Sequence, residues 1–136
     1  MSPTETVEDY YRALRTGEPL DPYFVEREDV VKFGVSERLS GYGAVADGLR
    51  EQTRTTDDWR VDSRRLQVVV RDPVAWFSDD VALSWLDAEG VRRSFDTRWS
   101  GVLERGTDES ESGSEDDEDD PNWRFVAMHV SAPHQL

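Results

Sequence analysis

Asn122-Trp-Arg-Phe-Val-Ala-Met-His-Val-Ser-Ala-Pro133 is the stretch whose reading decides the fold. One parity of this strand carries Trp123, Phe125, Ala127, His129 and Ser131. The other carries Arg124, Val126, Met128 and Val130. Both parities are mostly apolar, the pattern of a strand covered on both sides. The rest of the chain must supply the two covers.

Immediately before it runs Gly106-Thr-Asp-Glu-Ser-Glu-Ser-Gly-Ser-Glu-Asp-Asp-Glu-Asp-Asp120, in which nine residues are acidic and none is basic or apolar. Such a run cannot bury anything, so residues 106–121 are expected to form a disordered, acidic hairpin insertion within one domain spanning 1–136. A calcium site is the sharper alternative there, but the run lacks the ordered ligand spacing and turn glycine of an EF-hand loop. Further back, Val91–Arg105 and Val74–Leu86 read as long strands joined by a hairpin loop at Asp87-Ala-Glu-Gly90. In the earlier of these, Asp79-Asp80 suggests a bulge or an edge. Trp59–Arg71 contains another strand, ending in Leu66-Gln-Val-Val-Val70, and Asp72-Pro73 makes a turn.

The N-terminal half has a different period. Ser2-Pro-Thr-Glu5 matches a capping box with proline at the first helical position. Val7, Tyr10, Tyr11 and Leu14 then recur at helical spacing up to Gly17, a natural C-cap. Asp21-Pro-Tyr-Phe24 reads as a turn, Val30-Val-Lys-Phe-Gly-Val35 as a short strand, and Ala44–Gln52 as a second helix. Helices followed by a strand meander predict an α+β fold, with the helices gathered on one face of an antiparallel sheet.

Composition removes several functions. The 136 residues contain no cysteine, and the net charge is −14. Thiolate chemistry and cysteine metal sites are excluded, and nucleic acid is a poor partner for such a surface. With only His129 and His134 as imidazoles, no zinc site is expected. No apolar run approaches membrane-spanning length, and Met1-Ser-Pro-Thr-Glu5 lacks the regions of a signal peptide, which predicts a cytoplasmic protein without membrane contact. Lys32 is the sole lysine among 16 basic residues. An acidic, lysine-poor, cysteine-free chain suggests a salt-accumulating halophilic archaeon, although a GC-rich genome would also favour arginine.

Asp96-Thr-Arg-Trp-Ser-Gly-Val-Leu-Glu-Arg105, followed by Trp123-Arg-Phe-Val-Ala-Met-His-Val-Ser131, resembles the SnoaL-like branch of the nuclear transport factor 2 superfamily. It is also similar to the association domain of calcium/calmodulin-dependent protein kinase. Gly17–Phe24 and Gly41–Gln52 fit the loop after helix one and the later helix of that family. The resemblance implies a curved sheet wrapped round the N-terminal helices into a cone, an apolar pocket inside, and a homodimer through the outer sheet face. It also places Arg98 where the kinase association domain has a pocket arginine. The other pocket arginines of that domain fall on Val81 and Val130, so the cluster is not reproduced. The aspartate, tyrosine and protonated acid of the steroid isomerases find no matching set here.

The leading expectation is a binder of a small, largely apolar molecule, one that can carry a carboxylate to meet Arg98. Tyr11, Trp76, Trp85, Trp99 and His129 are the other candidate ligand contacts. The enzymatic alternative is an isomerase, cyclase or hydratase without metal or cofactor, using His129 and Asp96 for acid–base work. A third class is an interaction or dimerisation module. Against each site residue stands a plainer role: a hydrogen-bonded interface histidine, an ion-paired arginine, or tryptophans used for packing.

The halophile reading has its own test. Raising salt from about 0.1 M to about 1 M shortens the Debye length from about 10 Å to about 3 Å. Screening of the −14 charge should then raise the thermal midpoint steadily, and a midpoint that does not change with salt would count against the reading.

Overall fold

The computed structural model of the protein describes residues 1–106 and 122–133. Residues 107–121, and with them the expected disordered hairpin and its calcium alternative, lie outside the described residues, as does His134. Helix α1 (Pro3–Thr16) begins as its sequence dictates. The Ser2 side chain accepts from the Glu5 N–H, the Glu5 carboxylate accepts from the Ser2 N–H, and Gly17 closes the helix at φ 75°. A left-handed φ of this kind is cheap only for glycine. A 3₁₀ turn (Asp21–Tyr23) follows, then strands β1 (Val31–Phe33) and β2 (Arg38–Ser40) and helix α2 (Tyr42–Thr55). The remaining strands are β3 (Asp57–Ser63), β4 (Gln67–Arg71), β5 (Val74–Leu86), β6 (Arg92–Arg105) and β7 (Trp123–Ser131).

The seven strands form one curled, unclosed sheet in the order β2-β1-β7-β6-β5-β3, with β4 also paired to β5. The α+β cone expected from the resemblance is what the chain forms. Two details differ. The short strand β1 lies parallel to β7, while every other pair is antiparallel. In addition, the stretch read as a strand within Trp59–Arg71 is two strands, which share β5 between them.

The last strand requires a correction. Val102 pairs with Ala127 but Leu103 pairs with Phe125, so Val126 is an extra residue in β7. An inserted residue sends the following side chains to the opposite face. Trp123 and Phe125 point inward before the bulge, and Met128 and Val130 point inward after it; all four are buried. Ala127, His129 and Ser131 therefore face outward. Much of the apparent two-sided apolarity is one inner face divided by a bulge.

The inner face closes on α1 through aromatic edges. Tyr10 meets Tyr23, Phe24, Trp99 and Phe125 with ring centroids 5.5 to 6.1 Å apart, all steeply inclined. Such edge-on pairs add to the stabilisation from burying the rings. The outer face carries a transverse row of apolar residues in register across five strands: Val69, Trp76, Val102, Ala127 and Val31. Trp76 is 45% exposed there.

Asp79-Asp80 does not interrupt β5, whose ladder to β6 runs unbroken through both residues. The break is in the partner, between β3 and β4. There the buried Asp79 carboxylate accepts from Arg65 N–H (2.8 Å), Ser63 Oγ–H (2.5 Å) and Tyr11 O–H (2.8 Å). A side chain thus replaces the missing ladder and ties it to α1. Asp79→Ala would leave these donors without an acceptor, at about 1–3 kcal/mol for each one that stays buried. It should therefore cost more than about 3 kcal/mol, against about 1 kcal/mol for Tyr11→Phe. Urea unfolding of the two variants checks this, and equal losses would refute the latch.

Candidate functional site

A cavity of about 290 Å³ opens between the helices and the concave face of the sheet. The helices contribute Tyr10 and Leu14 from α1 and Gly48, Glu51, Gln52 and Thr55 from α2. The sheet contributes Leu83, Trp85, Trp99 and Val130, with Trp59 from β3. The remaining wall is the β1–β2 hairpin, which supplies Lys32 and all of Gly34 to Glu37.

Its aromatic side is built by strand register. Inward parity on β5 and β6 brings Trp85 beside Phe95, with centroids 5.6 Å apart, and Trp59 stacks on Trp85 at 4.6 Å and 22°. The Trp59 indole N–H donates to Thr56 Oγ1, which fixes the ring. Trp99 is held deeper, its N–H donating to Thr97 Oγ1, and that hydroxyl in turn donates to the Val81 carbonyl.

The polar side combines Glu51, Gln52 and Thr55 of α2 with an ion pair on the β1–β2 hairpin. Alternation along β1 sends Val31 and Phe33 outward and Lys32 inward. The Lys32 side chain is 6% exposed, and its ammonium donates to Glu37 Oε2 at 3.0 Å. Glu37 is 38% exposed. Burial, with the negative charge of Glu37 adding to it, pushes the Tyr10 phenol well above its ordinary range, so Tyr10 stays protonated. The cavity therefore offers a flat aromatic wall, a phenol and a buried ammonium whose partner is half in water.

Of the residues singled out in the sequence, Trp85 and Trp99 line this cavity. Tyr11 is buried behind it and bonded to Asp79. The Tyr11 phenol is raised by burial first and then by the Asp79 charge. Trp76, Arg98, Asp96 and His129 are on the outer face. Arg98 and His129 border a shallow depression with Ser78, Ser100 and Ser131. Arg98 has no ion pair among the described residues. His129 faces out because the Val126 bulge turns it there, and its ring meets Phe33 at 5.6 Å. The Asp96 side chain is 84% exposed, 3.9 Å from Arg64. The acid–base pair expected from sequence thus lies outside the enclosed cavity.

Lys32 and Glu37 were not foreseen as site residues. A signal existed for one of them: the only lysine of the chain stands inside the apolar run Val30-Val-Lys-Phe-Gly-Val35. Among the described residues, no group of three or more histidine, aspartate or glutamate side chains could hold a metal. No helix among them is long and apolar enough to cross a membrane.

Comparison with known proteins gives a family and a fold. A comparison with curated sequences finds no match. Among solved structures, a nuclear transport factor 2-like superfamily protein of Salmonella enterica superposes with a TM-score of 0.76 at 16% identity, over 98% of this chain and 89% of that one. A proposed dehydratase of the same superfamily from Streptomyces avermitilis gives 0.75 at 16% identity, over 97% and 94%. A proposed calcium/calmodulin-dependent protein kinase type II association domain from Thiobacillus denitrificans gives 0.72 at 17% identity, over 98% and 96%. At such identities the likeness is one of fold. The family described as SnoaL-like domain matches residues 4–135, nearly the whole chain. The chain belongs to the SnoaL-like domain family.

Proposed function

We propose that this SnoaL-like domain binds a small, flat, largely apolar molecule in its cone. The observation that carries this reading is the stacked Trp59–Trp85 wall facing a buried ammonium across a cavity of about 290 Å³. Apolar concavities with few polar groups are where small ligands bind. Acid–base catalysis is the second reading, favoured by solved neighbours proposed to be dehydratases. In that case Lys32 and Glu37 would handle the protons, with the Tyr10 hydroxyl as a hydrogen-bond donor, because His129 and Asp96 face outward. One titration with 2-tetralone, a flat neutral ketone, separates the two. Binding predicts saturable quenching of tryptophan fluorescence, weakened about ten-fold in Trp85→Ala, with no exchange of the ketone's α-protons into deuterated solvent. Exchange lost in Glu37→Gln would favour the enzyme, and no saturable response at all would sink both.

We also propose that two copies pair through the outer sheet face. The in-register row Val69, Trp76, Val102, Ala127 and Val31 supports it, since an apolar stripe of this kind is costly to leave in water. Trp76→Glu should convert a dimer to a monomer in sedimentation equilibrium while the fold persists. A wild type that is monomeric at every concentration, or a variant that stays dimeric, would exclude this interface.

A further inference from the structure

Resting on the pocket reading above, we infer that Glu37 occupies the seat of a ligand carboxylate on Lys32, and that the cone takes a flat molecule bearing one carboxylate, which displaces Glu37. Three features carry this. The first is the asymmetry of the pair. Lys32 is 6% exposed and Glu37 is 38% exposed. A buried ammonium cannot be left without a partner, whereas a carboxylate already half in water leaves at little cost. Whatever replaces Glu37 must therefore satisfy the ammonium, and a carboxylate does so best.

The second feature is Gly34. A Cβ built there would lie 2.7 Å from Glu37 Oε2 and 2.8 Å from its Cγ. The Glu37 side chain reaches back across the bare Gly34 backbone to arrive at Lys32, and any larger residue at 34 would obstruct it. The third is the mounting of Glu37. The Gly34–Glu37 turn joins two strands of three residues each, and β2 is the edge strand of the sheet. Apart from the side chain, the turn is held to itself by the Gly34 N–H donating to the Glu37 carbonyl. A short edge hairpin is among the cheapest parts of a sheet to move. Every residue of the turn also lines the cavity, so its displacement would widen the space at the polar end.

The sole lysine of the chain is thus held in a form that can exchange partners. Lys32 takes over the anion-reading role expected of Arg98, and the ligand class narrows from apolar molecules in general to flat monocarboxylates.

The test compares 2-naphthoate with its neutral counterpart 2-naphthamide by tryptophan quenching and thermal shift. Removing the internal competitor should tighten 2-naphthoate about ten-fold in Glu37→Gln and leave 2-naphthamide within about two-fold. Gly34→Ala, which pushes the Glu37 side chain aside without removing its charge, should tighten 2-naphthoate in the same direction. It also serves if Glu37→Gln folds poorly. Lys32→Met should abolish the preference for the carboxylate. Unchanged or weaker 2-naphthoate binding in both Glu37→Gln and Gly34→Ala would overturn the inference, as would a preference that survives Lys32→Met. If 2-tetralone and 2-naphthamide bind while the carboxylate shows none of these effects, the pocket reading stands and only the exchange fails. If no flat probe binds, the pocket reading itself has failed.

Discussion

One inserted residue in β7 governs how this cone closes. A regular strand offers one face to the core, yet β7 must cover α1 at its start and the cavity at its end while the sheet curls. The extra residue at Val126 resolves the conflict. It lets Trp123 and Phe125 pack inward before the bulge and Met128 and Val130 after it, and it adds local bend where the sheet needs it. The same insertion decides the chemistry of each face. Without it, His129 would point into the cone beside Trp99. With it, His129 belongs to the outer surface and the cavity has no imidazole among the described residues.

A second irregularity works with the first. The β3–β4 break leaves the middle of β5 without a ladder partner on one side, and a buried carboxylate, Asp79, takes up the donors. Its third bond, from the Tyr11 hydroxyl, runs to α1. The helix that roofs the cavity is thus attached to the sheet by a hydrogen bond at Tyr11 and by ring packing at Tyr10. Tyr11 only fastens the roof, whereas Tyr10 both packs on the sheet and lines the cavity.

Much of this architecture was legible beforehand, because the signals were local. The capping box at Ser2–Glu5, Gly17, the four-residue apolar face of α1 and the long strands of the hairpin each follow from short-range rules. What was not legible depended on register. Parity along Trp123–Ser131 could be counted but not anchored, since a bulge leaves no mark in composition. Asp79-Asp80 was seen as irregular, but the irregularity is in the strand opposite. Trp85 and Trp99 could be named as candidate wall residues, while Trp76, of the same type and on the same pair of strands, faces out. Lys32 was conspicuous as the sole lysine and by its place in an apolar run, but not by its direction. Its inward aim follows from the parallel pairing of β1 with β7, a contact between segments nearly a hundred residues apart.

The solitary status of Lys32 has a consequence for how the folded chain meets chemistry. Acylation, carbamylation, aldehyde addition and enzymatic tagging of ε-amines ordinarily find many targets on a protein surface. Here every other lysine-or-arginine position carries a guanidinium group, which these reactions largely spare. The one ε-amine is enclosed by the fold. Lysine-directed modification of this chain is therefore gated by opening of the β1–β2 hairpin or by unfolding. Its rate would report directly on how often the polar end of the cone comes apart.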